Sequence, residues 1–206
     1  MYKELTKRQY NIVIGLMLLW GFAVNLIMCV FFKDVFAAWN PRTILIGYFV
    51  LAIAGILLYI CSDNPALSFL GYNMLVLPIG VVLSIVLKDI YIGSIINAFL
   101  ITTLITIIMI FTATIEPEIF ESMGKTLLIC LTGVIIIEFV MLFIGIITPK
   151  WWDLIVALLF CGYIGYDWSK AQSKLKTLDN AIDSAAELYL DIINLFIRLL
   201  AASDDD

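Results

Sequence analysis

Long apolar runs broken by short polar connections dominate this chain. Seven such runs can be marked: residues 11–32, 43–61, 69–87, 91–115, 126–147, 151–171 and 179–202. The first five approach or exceed the ~20 apolar residues that a helix needs to cross a bilayer. Pro41, Pro65, Pro117 and Pro149 fall in the connections, where helices should break. Pro78 lies inside the third run and predicts a kink there. No strand-like alternation runs through the sequence, which argues against a membrane barrel. The expected fold is an all-α membrane protein, one helical bundle over residues 1–206. No internal repeat is visible, and the only low-complexity stretch is the acidic run 204–206.

Composition agrees with that pattern. The chain is 63% hydrophobic and 14% charged, against roughly 45–50% and about 25% in soluble domains. Residues 1–9 are too short and polar for a cleaved signal, so the first run is expected to stay as a helix. There is no histidine, which removes His-based triads, His-ligated metals and a histidine pH sensor. Cys29, Cys61, Cys130 and Cys161 stand singly without CxxC spacing and read as packing residues. A net charge of −5 excludes the basic footprint of a nucleic-acid binder. No cofactor is expected.

Charge also orients the chain. With the N-terminus inside, Lys3, Lys7, Arg8, Lys125, Lys170, Lys174 and Lys176 lie on the inner side, and Lys33, Arg42, Lys88 and Lys150 on the outer. Seven against four favours a cytoplasmic N-terminus, with the bacterial-type cell membrane as the expected location. Trp39, Trp151 and Trp152 read as interfacial anchors.

Polar residues inside the runs are few, and they concentrate late in the chain. Asn25, Asn73, Asn97 and Glu138 are the exceptions in the first five. An ionised Glu138 at mid-bilayer costs several kcal/mol, so it needs a cavity, a proton or an interhelical partner. The apolar part of the sixth run, 154–166, is only 13 residues long. A crossing helix must therefore continue through Asp167 and hold it at membrane depth, toward Lys170 and Lys174. On a helical projection of residues 180–198, Asn180, Asp183, Ser184, Glu187, Asp191, Asn194 and Arg198 fall within an arc of about 100°. Such a stripe requires water, partners or a surface. Three readings remain open: a helix lying flat in the interface, a polar face packed on satisfied partners, or a stripe lining a conduit. The acidic character of the stripe weighs against the first.

Asp167 and Asp191 lie on consecutive helices, each some turns from the 172–178 connection, so their depths can match. Two carboxylates brought together in a poorly solvated site share a proton and titrate as a pair. Deprotonated, they repel one another and offer hard oxygens suited to transient Ca²⁺ contact. A proton-driven switch follows, with Asp183, Glu187, Asn194, Arg198 and Glu138 as candidate path-lining residues or charge partners. An enzyme can be built from the same pair. Tyr166-Asp167 followed by a second aspartate is similar to intramembrane aspartyl proteases, in which two carboxylates activate water. Here, however, the second aspartate follows Leu188-Tyr189-Leu190 rather than glycines, and Pro65-Ala66-Leu67 is far upstream. A proton-coupled cation exchanger and a non-conducting membrane scaffold are further alternatives.

The C-terminal residues carry a resemblance. Gly165-Tyr166-Asp167 ends the sixth run. Ala185-Ala186-Glu187-Leu188-Tyr189-Leu190-Asp191-Ile192-Ile193-Asn194-Leu195-Phe196-Ile197-Arg198-Leu199-Leu200 fills the seventh. Together they resemble the Bax inhibitor family, the transmembrane Bax inhibitor motif proteins, and the short N-terminus is like that of its prokaryotic members. The resemblance implies seven transmembrane helices, the last central and wrapped by the other six. It also implies a pH-sensitive Ca²⁺ leak, in which Asp167 and Asp191 act as proton sensor and gate. Ca²⁺ and protons are then the partners, with Ca²⁺ a permeant ion rather than a cofactor. One departure is visible: family members can carry a basic residue near the second span that helps hold the closed state, whereas residues 43–87 contain no Lys or Arg. Arg42, Lys170 and Arg198 are the candidate substitutes.

Overall fold

The computed structural model describes residues 4–146 and 148–203. Lys3, the acidic run 204–206 and the side chains of Lys33, Ala37, Pro41 and Arg42 lie outside the described residues, and Arg42 as a candidate counter-cation with them. The described chain is helical without strands. Its helices are α1 (Lys7–Phe31), α2 (Lys33–Ala37), α3 (Pro41–Ile60), α4 (Pro65–Val86), α5 (Ile92–Ile115), α6 (Pro117–Ser122), α7 (Gly124–Ile144), α8 (Lys150–Ser173) and α9 (Leu178–Ser203). A long helix occupies each of the seven apolar runs. The short α2 and α6 fall in connections, where the sequence pattern gave no sign of them.

Local chemistry sets the helix ends. Thr6 and Gln9 form a reciprocal capping box at the start of α1: Gln9 N donates to Thr6 Oγ1 at 3.2 Å, and Thr6 N donates to Gln9 Oε1 at 3.0 Å. Asn64 caps α4 by accepting from Ala66 N at 3.0 Å, with Pro65 at the first helical position. Gly145 ends α7 in the left-handed region at φ 71°. Pro78 sits within α4, whose helical assignment continues through it.

Among the described residues, five helices are long and apolar enough to cross a membrane: Lys7–Phe31, Thr43–Ile60, Pro65–Val86, Ile92–Ile115 and Gly124–Ile144. The sixth and seventh runs form helices of 24 and 26 residues but are less apolar than that class requires. Burial divides the helices sharply. α3, α5 and α7 expose most of their apolar side chains, as helices facing lipid do without cost. In α9 no residue from 179 to 200 is exposed.

The chain separates into two compact units. One comprises Met1–Ile90 with Lys174–Tyr189, the other Tyr91–Ser173 with Leu190–Asp206; α9 therefore contributes its first half to one and its second half to the other. In the first unit, α3 and α4 cross through Gly55 and Gly71. A Cβ on either glycine would meet the carbonyl oxygen of the other within 2.7 Å, so this close approach depends on small residues.

Candidate functional site

Within the first unit, the N-terminal half of α9 is met chiefly by hydroxyls and amides. Tyr10 is fully buried, donates to the Asn180 carbonyl oxygen at 3.1 Å and shares a hydrogen bond with Ser184 Oγ at 3.0 Å. Ser68 Oγ donates to Asp179 Oδ1 at 2.7 Å. Asn25 Nδ2 donates to the Tyr189 hydroxyl, and Tyr72 packs edge-on against the Tyr189 ring at 5.6 Å. One ion pair completes the set, Lys174 Nζ to Glu187 Oε2 at 3.1 Å.

The 174–177 connection is fastened from the N-terminal side. Leu5 N donates to the Lys176 carbonyl oxygen at 2.7 Å, and Lys176 Nζ stands 4.7 Å from the centre of the Tyr10 ring. Burial, and after it the charge of Lys7, pushes the Lys176 ammonium down. The N-terminal segment and the α8–α9 connection thus meet directly.

In the second unit, α8 presents Asp153, Ala157, Phe160, Ile164, Asp167 and Ala171 along one buried stripe at spacings of three and four. An aspartate stands near each end of it, 14 residues apart, or about 21 Å along the axis. The Asp167 end is anchored on α5 and α6. Trp168 Nε1 donates to Thr114 Oγ1 at 2.8 Å, and Ser173 Oγ donates to Glu121 Oε1 at 2.6 Å. The Phe120 ring lies so close over Gly165 that a side chain there would collide with it; this accounts for a glycine two residues before Asp167.

Asp167 is 8% exposed and Asp191 6% exposed. Both carboxylates belong to the second unit. Lys170 Nζ reaches Asp167 Oδ1 at 3.8 Å, one turn along the same helix. Of the candidate counter-cations, Lys170 thus stands beside the aspartate itself.

Arg198 is engaged elsewhere. Its Nη2 approaches Glu138 Oε1 at 2.6 Å and its Nη1 approaches Asp153 Oδ1 at 2.9 Å. Trp152 Nε1 also donates to Glu138 Oε1, at 3.1 Å. Glu138 therefore has an interhelical partner, one of the three solutions open to it. Asn194 turns back and donates to the Leu190 carbonyl oxygen of its own helix at 2.7 Å. Asp183 keeps one carboxylate oxygen buried without a hydrogen-bond partner among the described residues.

Sequence reasoning missed Asp153, Asp179 and Tyr10. Asp153 stands two heptads before Asp167, on the same helical face, and that spacing was the available signal. Asp179 begins a four-residue ladder through Asp183, Glu187 and Asp191. Tyr10 carried no signal, since its partners lie 170 and 174 residues away. Among the described residues, no three His, Cys, Asp or Glu side chains converge as a metal site.

Five membrane-length apolar helices and a charged, buried C-terminal helix define a multi-pass integral membrane protein. Residues 3–202 match the family model described as "Inhibitor of apoptosis-promoting Bax1", and the chain belongs to the Bax inhibitor family. An uncharacterised protein of Helicobacter pylori (strain ATCC 700392 / 26695) is 34% identical over 122 residues, covering 57% of this chain and 51% of that protein. Protein LIFEGUARD 3 of Arabidopsis thaliana is 37% identical over 83 residues, 39% of this chain and 33% of the relative. Protein LIFEGUARD 4 of the same plant is 32% identical over 111 residues, 52% and 44% respectively. The matched segment thus spans about half the length, or less, of these curated relatives.

Proposed function

We propose that this protein is a pH-sensitive Ca²⁺ leak channel gated by a proton shared between Asp167 and Asp191. The observation that carries the reading is the burial of both carboxylates in one unit. Desolvation and like charge both disfavour two ionised carboxylates in such a site, so their protonation has the leverage to bias two conformations. Family membership supports the fold that goes with this reading, seven spans with α9 innermost. So does the absence of any exposed residue between 179 and 200, which speaks against a helix lying flat in the interface.

In this conformation much of the stripe has partners: Ser184 with Tyr10, Glu187 with Lys174, Arg198 with Glu138 and Asp153. We read that as the closed state. Opening then requires some of these pairs to separate, and Asp183, Glu187 and Asn194 to face water. Lys170 takes the place of the absent second-span cation by standing beside Asp167. The contact of Leu5 with Lys176 supports a topology in which the 172–178 connection lies with the N-terminus, on the cytoplasmic side.

The test is Ca²⁺ entry into proteoliposomes across a pH series. The wild type is expected to change steeply with pH, and Asp167→Asn or Asp191→Asn to flatten the response. An unchanged profile in both variants would reject the gate. Cleavage of a membrane substrate that depended on both aspartates would favour the protease-like alternative.

A further inference from the structure

The C-terminal half of α7 is held by very little. After Val134 the helix buries nothing: of residues 135–144, all but Glu138 and Met141 are exposed. In lipid, exposed apolar side chains supply no force that returns a displaced helix, because lipid tails are as apolar as they are. What fastens this half to its unit is the polar chemistry of Glu138, which accepts from Arg198 of α9 and from Trp152 of α8. Arg198 binds Asp153 in the first turn of α8 with its other nitrogen. One guanidinium thus joins three helices, and its planar fork suits two carboxylates at once. Arg198 lies seven residues beyond Asp191, about 10 Å along α9, so this junction is separate from the aspartate pair.

We propose that Arg198 is a lock. It holds the C-terminal half of α7 and the first turn of α8 against the end of α9, and its release lets the α7 end swing out and opens the path at a second point. The opening clause rests on the channel reading; the lock itself does not. Without the guanidinium, Glu138 and Asp153 are left as neighbouring, poorly solvated like charges, and their repulsion drives the same displacement.

The lock is tested on the full chain in lipid nanodiscs, with the four native cysteines replaced and nitroxide labels at Phe143→Cys on α7 and Leu158→Cys on α8. Both sites are exposed, at 76% and 72%. Electron–electron distances should be narrowly distributed with Arg198 present. In Arg198→Gln they should broaden and lengthen by about one helical turn, ~5 Å, while Thr132→Val leaves them unchanged. Glu138→Gln, which keeps a neutral Arg198–Asp153 pair, should broaden them less; it carries the test if Arg198→Gln does not fold. A wild-type distribution in the folded variant overturns the lock. In proteoliposomes, Arg198→Gln should raise Ca²⁺ entry severalfold at the pH where the wild type is least permeable. Movement of α7 without such a rise overturns the claim that the lock closes the path. Absence of Ca²⁺ entry in the wild type at every pH overturns the channel reading instead, and the distances then decide the lock alone.

Discussion

The two halves of α9 satisfy their polar groups by different chemistry. From Asp179 to Tyr189 the partners are mostly neutral, Ser68, Tyr10 and Asn25, and the Lys174–Glu187 ion pair joins them. From Asp191 to Arg198 they are mostly charged: Arg198 binds two carboxylates, and Asp191 is buried in the same unit as Asp167. Neutral hydrogen bonds give one geometry at any physiological pH, whereas carboxylates in a poorly solvated site change their charge and their forces together. The first half is suited to hold α9 in place. The second half adds the two ion pairs of Arg198, while Asp183 and Glu187 keep titratable groups in the first half as well.

Substitutions can sharpen or break that contrast. The largest effect is expected at the aspartates. One pKa unit corresponds to about 1.4 kcal/mol, so removing a carboxylate that biases the gate by this amount changes the open population about tenfold. Asp167→Asn and Asp191→Asn should each show it as a flattened pH profile of Ca²⁺ entry. Next comes Arg198→Gln, which strands two carboxylates and should cost about 2–4 kcal/mol in unfolding measured in detergent. Glu138→Gln leaves a balanced pair and should cost less than Arg198→Gln; the reverse order would deny Arg198 its central place. In the first half, Tyr10→Phe removes a hydroxyl from Ser184 and Asn180 and should cost about 1 kcal/mol with the pH profile unmoved. A moved profile there would erase the distinction between the halves. The smallest effect belongs to Lys170→Met, since a half-exposed pair at 3.8 Å contributes about 0.5 kcal/mol; a slight displacement of the pH midpoint is the expected readout.

The helices were largely legible in the sequence, because apolar length and proline placement act locally. All seven apolar runs lie on helices, and Pro41, Pro65 and Pro117 each open one. The stripe of α9 was legible as well, since helical periodicity alone arranges Asp183, Glu187, Asp191, Asn194 and Arg198 on one face. What faces that stripe was not legible. Glu138 presented three solutions, and only the approach of α7 to α9 selected Arg198 among them. Asp153, which the sequence reading passed over beside the two tryptophans, joined the stripe of Asp167 only through its burial.

The sequence by itself therefore determined that this protein is an α-helical membrane protein with a charged last helix, since hydrophobicity and helical period are properties of neighbours along the chain. It also supplied the Bax inhibitor resemblance, which the match over residues 3–202 established as membership. Only the tertiary structure decided which charges pair, because the partners of Arg198 lie 45 and 60 residues away. In a medium that cannot solvate them, that distant pairing is what makes the charges tolerable and gives them something to release.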